Sequence, residues 1–157
     1  MKEQLEDILR QLEGSWEWND QDTPLSLTVE PGKMHELMRR LYGTEGLYFD
    51  MLSCITGVDN GPEAATMEVI YNLVSIPYEA SLMVKVTIGR EYPSIPTVSN
   101  IWRTADWLER ETYDLLGIHF EGHPDLRRIL LPADWQGYPL QKDYKEQEYY
   151  HGVRVAY

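Results

Sequence analysis

The sequence has one cysteine, Cys54, in 157 residues. An internal disulfide is therefore excluded, and so is an ordinary iron–sulfur cluster, which takes roughly four cysteine ligands. A polypeptide this poor in thiols suits a reducing compartment. Basic residues are scarce too: 14 Lys and Arg face 26 Asp and Glu, for a formal net charge of −12. Nucleic-acid binding needs clustered cations to neutralise phosphates, so that class is excluded. No apolar run approaches the ~20 residues needed to span a bilayer. The opening KEQLEDILRQLEG after Met1 lacks the apolar centre of a signal peptide. Any membrane association is expected to run through partners. No G-x-G-x-x-G or G-x-x-x-x-G-K-S/T occurs, and Gly43 and Gly46 are too sparse for a phosphate loop. Ser53, Ser75, Ser94 and Ser99 lie in no nucleophile-elbow pattern. Nothing resembles an independent active site.

What is present is an ordinary globular body. The hydrophobic fraction is 43%, too high for disorder, and the length suits one domain with a tail. Leu5, Ile8, Leu9 and Leu12 recur at helical spacing before Gly14, which predicts a helix over residues 2–13. Leu25, Leu27 and Val29 alternate with polar residues as a half-buried strand, broken by Pro31 and Gly32. Met34, Leu37, Met38 and Leu41 mark a second helix, closed by Gly43.

Three strands are expected next. Residues 47–56 would put Leu47, Phe49, Met51 and Ile55 on one face. Residues 66–75 would bury Met67, Val69, Tyr71 and Leu73, and residues 81–88 would bury Leu82, Val84, Val86 and Ile88. The short connection Ser75 to Ala80 predicts a hairpin. Helices precede the strands rather than alternating with each one. The expected class is therefore α+β: a mixed or antiparallel sheet with helices on one side, then a long irregular C-terminal extension. The boundary is set at residue 117, with 1–117 the α+β domain and 118–157 an extended docking segment. His123 to Tyr157 holds five acids and five bases, so the acidic excess belongs to the body. Cys54 is read as a small buried thiol, and Asp59 as a turn residue or loop anchor.

The stretch Trp107 to Tyr144 organises the rest. Trp107 to Leu116 has helical spacing, Thr104 is a plausible N-cap, Asp106 suits the first turn, and Gly117 is placed to end the helix. Trp107, Glu111 and Leu115 share a face, so Glu111 interrupts an apolar stripe. It sits either at the solvent edge or pinned by Arg127, Arg128 or a partner's base. Glu109, Arg110 and Asp114 are expected to face solvent or a partner. The run that follows is neither helical nor strand-like. It is punctuated by Gly122, Pro124, Pro132, Gly137 and Pro139, and its backbone has no evident ladder partners. Its aromatics, Trp135 among them, and its arginines are residues favoured at protein interfaces. His119, Glu121 and His123 form H-x-E-x-H, which would suit a small metallohydrolase. The spacing is not H-E-x-x-H, Gly122 and Pro124 forbid a helix, and no third ligand is apparent.

Glu109-Arg110-Glu111-Thr112-Tyr113-Asp114-Leu115-Leu116-Gly117-Ile118, followed by Gly122-His123-Pro124-Asp125-Leu126-Arg127-Arg128-Ile129-Leu130, resembles the signature of the 30-kDa subunit of respiratory complex I, NADH:quinone oxidoreductase. Asp134-Trp135, Gly137-Tyr138-Pro139-Leu140 and Lys142-Asp143-Tyr144 extend the likeness. Thr56-Gly57-Val58-Asp59 and the loop with Pro93 and Pro96 carry it upstream. The resemblance implies an α+β subunit of the peripheral arm of a proton-pumping enzyme, on the cytoplasmic side of the membrane and held there by partners. It implies no cofactor in this polypeptide; flavin, iron–sulfur clusters and quinone would belong to the quinone-site and cluster-bearing partner subunits. The signature then supplies docking residues: Glu109, Arg110, Glu111, Asp114, Gly117, His123, Pro124, Arg127, Arg128, Trp135, Lys142 and Asp143. Arg127 and Arg128 are the expected contacts to partner carboxylates. Similar short chains occur in relatives that use ferredoxin or reduced F420, and in membrane-bound hydrogenases, so the electron donor stays open.

Overall fold

The computed structural model describes residues 1–155. The chain runs α1 (Lys2–Leu12), β1 (Trp16–Asn19), β2 (Ser26–Val29), α2 (Pro31–Gly43), β3 (Met51–Asp59), β4 (Thr66–Ser75), β5 (Ala80–Gly89), β6 (Ser94–Pro96), α3 (Ala105–Leu116), β7 (His119–Glu121), β8 (Tyr149–Tyr150) and β9 (Val153–Arg154). Five strands form one sheet in the order β1-β2-β5-β4-β3. All neighbours are antiparallel except β2 and β5, so the sheet is mixed, as expected of this α+β class. The parallel pair exists because α2, β3 and β4 intervene between β2 and β5, giving the chain room to cross over.

Strands β4 and β5 fall where alternation places them. Met67, Val69, Tyr71 and Leu73 pack beside Leu82, Val84, Val86 and Ile88, all within one core with Leu5, Leu9, Met34, Met38 and Leu41 of the first two helices. The hairpin Ser75–Ala80 closes with those two residues paired.

Strand β3 corrects the expected span of 47–56. Leu47 and Phe49 are buried, but in a turn: Tyr48 adopts a positive φ of 34°, and the Phe49 N–H bonds to the Leu41 carbonyl. The strand begins at Met51, which is exposed. A bulge between Leu52 and Cys54 then shifts the phase, so Leu52 and Ile55 share the buried face although three residues apart. Strand β1 adds to the expected set; its Trp16 and Trp18 are only half-buried, and four residues are too few for a periodic signal. Likewise β7, within the run expected to be irregular, pairs in parallel with β6 and buries Phe120. Among the described residues, no helix is long and apolar enough to cross a membrane.

Candidate functional site: an inward polar helix and its strap

Helix α3 ends as its sequence requires. Gly117 takes φ 78° and donates its N–H to the Tyr113 carbonyl. A Cβ there would lie 2.7 Å from the Tyr138 ring, so the position needs glycine twice over. Thr104 occupies the N-cap, but its hydroxyl donates to the Leu52 carbonyl, not to the helix.

The helix faces the opposite way from a conventional amphipathic one. Glu109 and Asp114 are fully buried and Arg110 nearly so, while Trp107 is 62% exposed and Glu111 lies at the surface. The expectation that Glu109, Arg110 and Asp114 face solvent or a partner is thereby corrected. Of the readings of Glu111, pairing with Arg127 or Arg128 is not found: both arginines pair elsewhere, and Glu111 lies at the surface among the described residues. The inward acids are tolerated because each finds donors, and a buried carboxylate without them would be very costly.

For Asp114 those donors come from the segment after β7, which folds back over the body as a strap. The Asp114 Oδ2 accepts the N–H groups of Ile129, Leu130 and Leu131 at 3.0, 2.7 and 2.9 Å. Its Oδ1 accepts from the Arg128 guanidinium at 2.8 Å. Burial pushes the Asp114 carboxyl up, but these donors outweigh it and the net shift is downward. Arg128 also donates to the carbonyls of Asp114, Trp135 and Gly137 and lies over the Tyr138 ring. Arg110 donates to the carbonyls of Arg127 and Arg128. The strap's backbone partners, not evident in the sequence, are thus side chains of α3.

A second attachment sits at the end of β3. Asp59, read as a turn residue or loop anchor, accepts from Gly61 N, from Arg90 Nε at 2.7 Å and Nη2 at 3.0 Å, and from Lys142 N at 2.8 Å. The Arg90 guanidinium, with those N–H groups, holds the Asp59 carboxyl far below the usual range. Arg90 also pairs with Asp143. Between the two attachments, Leu140 N bonds to the Leu115 carbonyl and the Gln141 amide to the Leu116 carbonyl. Beyond them, Trp135 donates to the Tyr144 hydroxyl, while Tyr150 and His151 both reach Asp134. The last two residues of the expected 118–157 segment lie outside the described ones.

Arg127 and Arg128 are therefore not equivalent. Arg127 is exposed and, among the described residues, pairs only with Asp125; Arg128 is spent inside the protein, which corrects its assignment to a partner carboxylate. Pro124 is exposed, and Lys142 presents its side chain at the surface.

The H-x-E-x-H residues do not converge. His119 and Glu121 point outward from β7, and Glu121 accepts from Ser94. His123 turns inward past Gly122, with its side chain buried and Nε2 3.1 Å from the Asp106 carbonyl. Among the described residues no group of three His, Cys, Asp or Glu is placed to hold a metal.

Glu109 is the remaining buried acid. It accepts from the Thr97 hydroxyl and from Val98 N at 2.7 Å, and lies 3.9 Å from His123 Nε2. Burial pushes its carboxyl up to about 7, against the lowering effect of those two donors. A folded-state value raised above the ordinary 4.5 favours the native state at low pH. That contribution is complete below the unfolded value and is lost as pH rises through about 7. Glu109→Gln keeps the size and hydrogen-bonding capacity and removes the titration. Its unfolding free energy should change by about 3 kcal/mol less than wild type's between roughly pH 5 and pH 8, measured by urea denaturation. An unchanged pH slope would refute the assignment.

The arrangement is structural chemistry: carboxylates anchoring backbone, with no nucleophile or metal cluster at their centre. It has counterparts. The profile of the family described as respiratory-chain NADH dehydrogenase, 30 Kd subunit, matches residues 27–150. The C subunit of NADH-quinone oxidoreductase from Chloroherpeton thalassium is 54% identical over 114 residues, covering 72% of this chain and 47% of that protein. The chain thus spans about half the length of that relative. A solved trypsin-resistant fragment (1-134) of Nqo5 superposes at TM-score 0.60 with 34% identity, covering 78% of this chain and 98% of the fragment. A chain in the structure of the membrane-bound sulfane sulfur reductase, an archaeal respiratory membrane complex, superposes at TM-score 0.72 with 26% identity, covering 89% of this chain and 85% of that one. The profile match takes in β2 to β8, the whole inward helix and nearly all of its strap, so this chain belongs to the family of the 30-kDa subunit of respiratory-chain NADH dehydrogenase.

Proposed function

We propose that the protein is a structural subunit of the peripheral arm of a proton-translocating NADH:quinone oxidoreductase. It carries no cofactor of its own and docks on the quinone-site and cluster-bearing subunits at the cytoplasmic side of the membrane. One observation supports this above others. The buried charged groups of the signature are engaged inside the protein, Arg110, Asp114 and Arg128 with the strap and Glu109 with Thr97 and Val98, while Trp107, Leu130 and Leu140 stand outward with exposures near 60%. Large apolar side chains left exposed are what an interaction site presents.

The contact groups are then Glu111, Pro124, Arg127 and Lys142. Glu109, Arg110, Asp114, Gly117, His123, Arg128, Trp135 and Asp143 act by shaping the surface that carries them. The equivalent subunit of a related respiratory membrane complex, taking electrons from ferredoxin or F420H2, is the second reading; the superposition on a chain of an archaeal respiratory membrane complex supports the likeness to such complexes and leaves the donor open.

Purification of the tagged protein from native membranes in mild detergent tests both. The expected result is a large assembly containing flavin and iron–sulfur clusters that oxidises NADH. An assembly that takes electrons only from ferredoxin or F420H2 selects the second reading. A protein that purifies alone refutes both.

A further inference from the structure

The sheet has two edges, and they differ. β1 is four residues long, and its Trp18 lies beneath Lys2, which also pairs with Asp20. β3 is nine residues long and pairs with β4 on one side only. Its ends are closed: the Leu52 carbonyl accepts from Thr104, with the bulge beside it, and Asp59 takes the strap. Between them, among the described residues, Cys54 to Val58 make no backbone hydrogen bond outside the β3–β4 ladder. A bare edge of this kind is a template for another strand, and proteins normally protect it.

The same edge forms one wall of a groove of about 240 Å³. Cys54 to Gly57 line one side and Glu111, Thr112, Leu115 and Leu116 of α3 the other, with Leu140 of the strap also in the lining. The narrowness comes from Gly57, where a Cβ would lie 2.3 Å from Leu116 and 2.9 Å from Thr112. Glu111 makes no ion pair among the described residues, and Leu140 is 58% exposed. The groove thus offers unpaired backbone, an apolar floor and one free carboxylate.

The geometry points to Cys54–Val58 as a strand-addition site for an extended segment of a partner subunit, apolar at alternate positions and carrying a Lys or Arg opposite Glu111. Main-chain bonds would supply the affinity and the groove the choice of side chain. No strand among the described residues pairs with this edge of β3. A second copy is a poor occupant: it would bring another Glu111 to the same groove, on a molecule of formal charge −12. The charge of the site asks for a basic strand.

The inference rests on the reading of the protein as a subunit of a larger assembly, and one experiment separates the two. The assembly is purified from native membranes and compared with the isolated full-length protein. Two signals are read: alkylation of Cys54 by N-ethylmaleimide, and hydrogen exchange of the amides of residues 54–58. In the assembly, Cys54 should react about tenfold more slowly and the outward amides of β3 should gain protection, as paired backbone does. An assembly with both rates unchanged overturns strand addition and leaves the subunit reading standing. Slow alkylation without amide protection also overturns it, because the groove would then be filled without pairing. If the isolated protein dimerises and already shows the protected edge, the occupant is a second copy and the partner assignment falls. A protein that brings nothing with it refutes the subunit reading and this inference together.

Discussion

Asp114→Ala should cost about 3–5 kcal/mol of unfolding free energy, the range for removing one member of a buried charge pair. Three backbone N–H groups of the strap lose their acceptor at once, and the Arg128 guanidinium, 13% exposed, is left facing only carbonyls. The substitution also leaves a void under residues 129–131. Urea denaturation measures the loss. Hydrogen exchange locates it: amides 129–131 should exchange far faster while those of β4 and β5 keep their order of protection. A loss below about 1 kcal/mol would mean that water replaces the carboxylate and that the strap is not held there.

The second attachment should behave alike but more mildly. Asp59→Ala removes two bonds to Arg90 and one each to Gly61 N and Lys142 N. Arg90 retains Asp143, so the expected cost is nearer 3 kcal/mol, about the lower end of that range. Residues 140–143 should loosen while 128–131 stay fixed, because the two attachments share no partner and sites of that kind act additively. The variant also has a pH signature. Both carboxyls are depressed in the folded state, so their stabilisation is complete above the ordinary carboxylate range and is lost as pH falls below about 4. Acid denaturation of Asp59→Ala should therefore be shallower than that of wild type. An equally steep acid limb would show that the Asp59–Arg90 pair contributes nothing net.

Much of this architecture is legible in the residues. β4 and β5 alternate because each has one face in the core, and a period of two survives any local detail. The first two helices announce themselves the same way. β3 departs from its expected span because the chain turns at Tyr48, and from its expected phase because of the bulge at Ser53, which has no sequence signal of its own. α3 is turned inside out for a more general reason. Whether an acid can face inward depends on donors, and those of Asp114 lie in backbone amides 15 to 17 positions away. Side-chain periodicity records apolar burial and carries no trace of such a partner. The signature itself is visible in the sequence, but its role is not: Arg110, Asp114 and Arg128 hold the protein's own strap, and Glu109 holds the loop at Thr97 and Val98.

The separation of 83 residues between Asp59 and Lys142 has a consequence during synthesis. At about 5–20 residues per second, a ribosome delivers the second partner roughly 4 to 17 seconds after the first. For part of that interval Asp114 also lacks its partners, Arg128 and the N–H groups of residues 129–131, which follow it by 14 to 17 positions. The nascent body must keep those acids wet, so α3 can settle only provisionally. Its final seating waits for residues 127–131 to leave the exit tunnel.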